Sequence, residues 1–180
     1  QAISIDDKSN KYIFEEVVKA PGFTKDQLFT IYREWFVTTF VNAEAVLQMD
    51  DRESGFLIGK SFLNLSGGMI TDQAAGNYPI AFTSRVNFTI KIYCKDGRFK
   101  YVLTDFYTYT APSRYTIEST IPLEAYDYNN LQSFYNKRGK IRKFRVKDKE
   151  SIILDFTAFG TSIKNHILDY EINQNQQNDW

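Results

Sequence analysis

The chain carries a single histidine, His166, and a single cysteine, Cys94, among its 180 residues. Catalysis by a serine–histidine or cysteine–histidine pair needs an imidazole beside the nucleophile, so any such machinery here has to use His166. That residue lies at the edge of a C-terminal apolar stripe with no motif around it, which reads as a packing role. Cys94 falls on the apolar side of an alternating segment and reads as a small buried hydrophobe. A lone cysteine closes no intramolecular disulfide, and one His with one Cys does not make an ordinary zinc site. Asp50, Asp51 and Glu53 cluster in a polar turn but lack the ligand spacing of a calcium loop. Gly67, Gly68 and Gly76 are followed by neither the Lys-Ser/Thr pair nor the helix of a phosphate loop. No catalytic residue, metal or cofactor is expected.

Three features could bind something. Residues 137–149 hold eight basic side chains and one acid; Lys140, Arg142, Lys143 and Arg145 at its centre could grip an anionic polymer or lipid head group, or serve as a solvated lead-in to a helix. Asp105 falls at an apolar position, opposite Phe88 in the hairpin register given below. An unpaired carboxylate is costly there, so it needs a partner or a place where the covered face meets water. Third, the wet side of the same hairpin carries Arg85, Asn87, Lys91, Tyr93, Lys100, Val102 and Phe106. Cations beside exposed aromatics suit an anionic, sugar or peptide ligand, unless residues 110–136 cover them.

The elements that position these residues follow from periodicity. Residues 1–11 are polar and read as a flexible N-terminal segment; 12–172 read as one α+β domain and 173–180 as a flexible polar tail. Tyr12–Lys19 is a strand stopped by Pro21-Gly22. Thr24 and Gln27 form a capping box, and Leu28, Ile31, Tyr32, Trp35, Phe36 and Phe40 place one aromatic face on a helix over 24–41. Strands follow at 45–49 and 56–65, and 66–79 read as loop. Val86, Phe88, Ile90, Ile92 and Cys94 alternate with polar residues, as in a half-buried strand. Asp96-Gly97 predicts a type I′ turn that sets Cys94 opposite Phe99 and Ile90 opposite Leu103, with the return strand running to about Tyr109. After an excursion over 110–136, a last helix is expected from an Asp148 N-cap to 170. Its stripe is Ile152, Phe156, Phe159, Ile163, Ile167 and Tyr170, with Gly160 marking close approach to the sheet. Each helix has one apolar face, so both belong on one side of an antiparallel sheet of about five strands, in the order β-α-β-β-β-β-α.

With 43% hydrophobic and 16% aromatic residues the composition is that of a globular chain rich in strand formers. Net charge is zero, so no overall field draws nucleic acid or acidic lipid, and no apolar run approaches the length of a transmembrane helix. The chain starts at Gln1 without an initiator Met, as expected of a processed or trimmed form whose signal peptide has been removed.

Val18–Phe36 (VKAPGFTKDQLFTIYREWF), Leu47–Lys60 (LQMDDRESGFLIGK) and Val86–Phe106 (VNFTIKIYCKDGRFKYVLTDF) carry a resemblance to the domain of unknown function 4468, which has a TBP-like fold and occurs in secreted proteins of Bacteroides-type bacteria. The resemblance spans about residues 12–109. It implies a helix-on-sheet fold and a periplasmic or secreted location, where nucleic acid is a poor partner, and it supplies no catalytic residue. The name describes topology and carries no DNA-binding role. The expected function is a non-enzymatic module binding a protein, glycan or other ligand on the open sheet face. The alternatives are an enzyme centred on Asp105 and neighbouring tyrosines, or a structural module of a cell-surface assembly.

Overall fold

The computed structural model describes residues 4–40, 46–64, 69–72, 78–81, 84–112, 117–126 and 143–177. Strands β1 (Ser4–Ile5) and β2 (Tyr12–Lys19) lead into helix α1 (Lys25–Thr39). Strands β3 (Leu47–Asp51) and β4 (Phe56–Asn64), a small β5–β6 hairpin (Met69–Asp72, Tyr78–Ala81), and the long β7 (Ser84–Lys95) and β8 (Arg98–Thr110) follow. Strand β9 (Ser119–Pro122), a short 3₁₀ turn and helix α2 (Lys143–Gln177) complete the order. The main sheet is antiparallel and runs β1-β2-β8-β7-β4-β3, with β9 also on β8.

Both helices lie on one face of this sheet, as their single apolar stripes require. The Thr24 side chain accepts from Gln27 N–H and Gln27 from Thr24 N–H, so the capping box starts α1 where the sequence puts it. Leu28, Ile31, Tyr32, Trp35 and Phe36 of α1 are buried with Val86, Phe88, Ile90, Ile92 and Cys94 of β7 and with Phe156, Ile163 and Ile167 of α2. A Cβ on Gly160 would meet the Phe14 ring at 2.7 Å and the Tyr101 hydroxyl at 2.8 Å. Helix α2 therefore approaches β2 and β8 closely at that residue. Beside it, Glu16 accepts hydrogen bonds from Tyr101 Oη (3.0 Å) and Lys164 Nζ (2.8 Å), tying helix to sheet.

Several expectations need correction. The sheet has seven strands where five were read, because its outer strands lack alternation: β1 hides in the polar lead-in and β9 in the excursion after β8. Ser4–Ile5 pairs with Tyr12–Ile13, so the segment before β2 is strand and turn from Ser4 onward. Met69–Asp72 and Tyr78–Ala81 form a hairpin that begins inside the stretch 66–79 read as loop and ends just beyond it. Helix α2 begins at Lys143, which puts Asp148 inside it, and it runs on to Gln177 through the segment read as a tail.

The β7–β8 register is as expected near its turn, with Cys94 opposite Phe99 and Ile90 opposite Leu103. The turn itself is not type I′, which needs positive φ at both central residues; of the two, Gly97 alone has it, at +72°. Asp96 is held otherwise, its Oδ1 accepting from Lys25 N–H at 2.7 Å.

Farther along, Thr89 pairs with Thr104 but Asn87 pairs with Tyr107, so Asp105 and Phe106 together oppose Phe88. This is a β-bulge, and Asp105 is its inserted residue, with a left-handed φ of +54°. The insertion exchanges the two faces assigned to this pair. Phe106 turns into the core, fully buried against Phe88 and Phe156, and Asp105 turns to the other side. Deleting Asp105 should thus restore a regular ladder with every later side chain on its present face. Chemical denaturation is expected to show a change within about 1 kcal/mol, since a part-buried ion pair and a left-handed residue are lost together and offset one another. Deleting Phe106 instead would leave Asp105 opposite Phe88 in the core, and that variant is expected to lose several-fold more.

Candidate functional site on the outer sheet face

The face away from the helices is built by the alternate residues of four strands. Ile13, Glu15 and Val17 come from β2, and Lys100, Val102 and Thr104 from β8. Strand β7 contributes Arg85, Asn87, Thr89, Lys91, Tyr93 and Lys95, and β4 contributes Phe56, Ile58, Lys60, Phe62 and Asn64. Val17, Phe62 and Tyr93 are exposed there, and the Tyr93 and Phe56 rings stack at 4.5 Å.

A groove of about 740 Å³ runs along this face from the Asp6–Lys11 turn to the β7–β8 turn. Its walls include Ile13, Val17, Tyr93 and Val102, with Lys11, Lys91, Lys95, Arg98 and Lys100 as cations. Lys100 Nζ lies 2.8 Å from Glu15, and Lys11 bonds Asp105. Among the described residues Lys91, Lys95 and Arg98 form no ion pair. The groove is thus an apolar floor under cations of which three are in no ion pair among the described residues, although Lys91 lies near the Asp105 charge.

Asp105 reaches this groove through the bulge. Burial alone would raise its pKa. The Lys11 hydrogen bond and charge, the nearby Lys91 charge and a hydrogen bond from Thr89 outweigh that, and the carboxyl sits below its ordinary value. It is an ionised, paired group at neutral pH, a poor proton donor or acceptor for catalysis.

Other sequence-flagged residues fall elsewhere. Phe106 belongs to the core, so it leaves the candidate ligand face; Arg85, Lys91, Tyr93, Lys100 and Asp105 share the outer face. Lys140 and Arg142 lie outside the described residues; Lys143 and Arg145 are in the first turns of α2, with side chains outside the description. Cys94 is buried, and burial pushes its thiol up to about 12, which removes the thiolate a nucleophile requires. His166 packs 6.2 Å from the Tyr32 ring between the helices, and burial lowers its pKa. Asp50 pairs with Arg33 of α1 and Asp51 accepts from Ser54 N–H, so two of the three acids of the turn already have partners within the protein. Among the described residues no group of His, Cys, Asp or Glu could hold a metal, and no helix is long and apolar enough to cross a membrane. The sequence reading missed Lys11, Glu15, Val17, Lys95 and Arg98. The period of β2 orients Glu15 and Val17, but their neighbour β8 depends on a long-range pairing.

Residues 14–109 match the family model described as a domain of unknown function (DUF4468) with TBP-like fold. The chain belongs to this family. Two solved structures share the fold of this chain at 14% identity each. One is a DUF4468 family protein from Bacteroides ovatus, with TM-score 0.62 over 91% of this chain and 90% of that one. The other is a TBP-like protein from Parabacteroides distasonis, with TM-score 0.65 over 91% and 97%. No protein with a curated description matches the chain. The family match covers β2 through β8, and so the strands that form the groove.

Proposed function

We propose that this DUF4468 domain is an exported, non-enzymatic binding module that takes an anionic ligand on its outer sheet face. The observation that carries the reading is the groove in which Lys91, Lys95 and Arg98, none of them ion-paired among the described residues, stand over Val17, Tyr93 and Val102. Cations outside any ion pair draw an anion, and the apolar floor contributes area that water leaves on binding. Export to the periplasm or beyond is supported by the resemblance to secreted proteins in the segments quoted above. Catalysis around Asp105 has less support, because its carboxylate is held ionised by Lys11.

A screen against acidic glycans, anionic lipid vesicles and acidic peptides tests the reading. Any hit is expected to weaken as salt rises, since screening acts over about 8–10 Å at ordinary ionic strength. Changing Lys91 and Lys95 to Glu together is expected to lower affinity by at least about tenfold with an unchanged thermal melt. A hit indifferent to this double charge reversal places the site elsewhere. Turnover of any substrate that Asp105→Asn abolishes without unfolding would favour the enzyme.

A further inference from the structure

The other end of the outer face holds an arginine whose charge no described residue answers. Arg85 lies opposite Asn64 on β4 and Tyr109 on β8. Its guanidinium carbon stands 4.9 Å from the centre of the Phe62 ring and 4.5 Å from that of Tyr109. Among the described residues it forms no ion pair, and its Nε is buried with no hydrogen-bond partner. Glu118 is engaged instead by the Tyr109 hydroxyl, at 3.1 Å. A buried charged donor without an acceptor is a costly arrangement that asks for an explanation. A guanidinium held between two rings has its plane fixed, which suits the forked recognition of a carboxylate or sulfate.

Arg85 and Lys91 are six positions apart on one strand, about 20 Å at the usual rise. Between them the outer positions of β7 are Asn87 and Thr89, and Lys60 stands exposed across from Thr89 on β4. Cations therefore recur along the strip, at Arg85, Lys60, Lys91 and Lys95. The interval holds an amide and a hydroxyl, and Phe62, Tyr109, Phe56 and Tyr93 rim it.

We infer that the two ends act on one ligand, an acidic oligosaccharide laid along β7, with one acid group at Arg85 and others near Lys91 and Lys95. This rests on the reading of the outer face as an anion-binding surface. A recurring charge calls for a ligand with repeated acid groups. Strand β7 is paired on both sides, with β4 and β8, so a peptide laid over it would find no main-chain partners for its own backbone. A sugar chain needs none: its hydroxyls can reach the Asn87 amide and its apolar ring faces can contact the aromatic rim.

The test is calorimetric titration with oligogalacturonides shorter and longer than about 20 Å, beside oligo-glutamate and oligo-thymidylate of the longer span. The long uronate is expected to bind at least about tenfold more tightly than the short one. Arg85→Ala is expected to remove that gain, so that the long uronate binds no more tightly than the short one. Arg85→Lys, which keeps the charge without the fork, should recover only part of it, and thermal melts report whether each variant is folded. If long and short uronates bind alike while the Lys91/Lys95 reversal abolishes both, the two-ended ligand is wrong and the anion-binding face survives. Oligo-glutamate or oligo-thymidylate binding with the uronates silent overturns the sugar. If no anion of any class binds the unaltered protein, both readings fall.

Discussion

Replacing Phe106 with alanine is expected to cost about 3–5 kcal/mol of stability, the range for emptying a buried phenylalanine site. The ring is fully buried, with its centroid 4.8 Å from that of Phe156 and 6.3 Å from that of Phe88. Truncation leaves a void bounded by two other large rings on a sheet and a helix, neither of which can close it cheaply. For a chain of this size each kcal/mol shifts the melting temperature by about 2–4 °C, so the variant should melt roughly 10 °C lower. Phe62→Ala, on the exposed outer face, is the matched comparison and should cost under about 1 kcal/mol. Chemical denaturation of the two variants decides the point: similar losses would return Phe106 to the outer face and remove the bulge from the account.

Phe106 also marks where the sequence stops being readable. Alternation along β7 and the tight Asp96–Gly97 connection locate both faces of the hairpin correctly from the turn out to Thr89 and Thr104. Past that point the same logic assigns Asp105 inward and Phe106 outward, and both assignments fail. One inserted residue shifts the count, and an aspartate can adopt the left-handed conformation that a glycine would have advertised. The helices were legible because an aromatic stripe at helical spacing has one economical destination, and Gly160 announced its own close contact. Strands β1 and β9 were not, because an edge strand is held by main-chain pairing that leaves little trace in side-chain pattern. The groove was half legible: Lys91, Tyr93 and Lys100 lie on the strands whose register the turn fixes. Lys11 and Val17 reach the groove only through the long-range partnership of β2 with β8.

Gly59→Ala carries the second large effect. A methyl group there would sit 2.3 Å from Cε1 of Phe36, well inside contact distance. Phe36 is fully buried, with Trp35 at 5.1 Å and Phe40 at 6.0 Å between centroids, so its ring has no free direction in which to yield. Either α1 lifts from β4 or the aromatic cluster repacks. Overpacking of this kind costs about 1–3 kcal/mol, and the closeness of the approach puts Gly59→Ala at the upper end. Combining it with Phe36→Leu makes room for the methyl, so the double variant should be less destabilised than the sum of the two single ones by at least about 0.5 kcal/mol. Strict additivity in a denaturation cycle would mean that the methyl does not meet Phe36 at all.

The bulge at Asp105 has a geometric consequence for anything that binds here. An inserted residue increases the local right-handed coiling of its strand pair, so the groove around Lys91 and the arginine clamp at Arg85 do not face the same way. The strip between them turns like the thread of a screw. A stiff, flat ligand could engage one end and would be carried off the surface before reaching the other. A chain with its own compliance, or a helical rise of matching hand, could follow the surface along its whole length, so on the proposed reading the fold would select among ligands of equal charge by their shape.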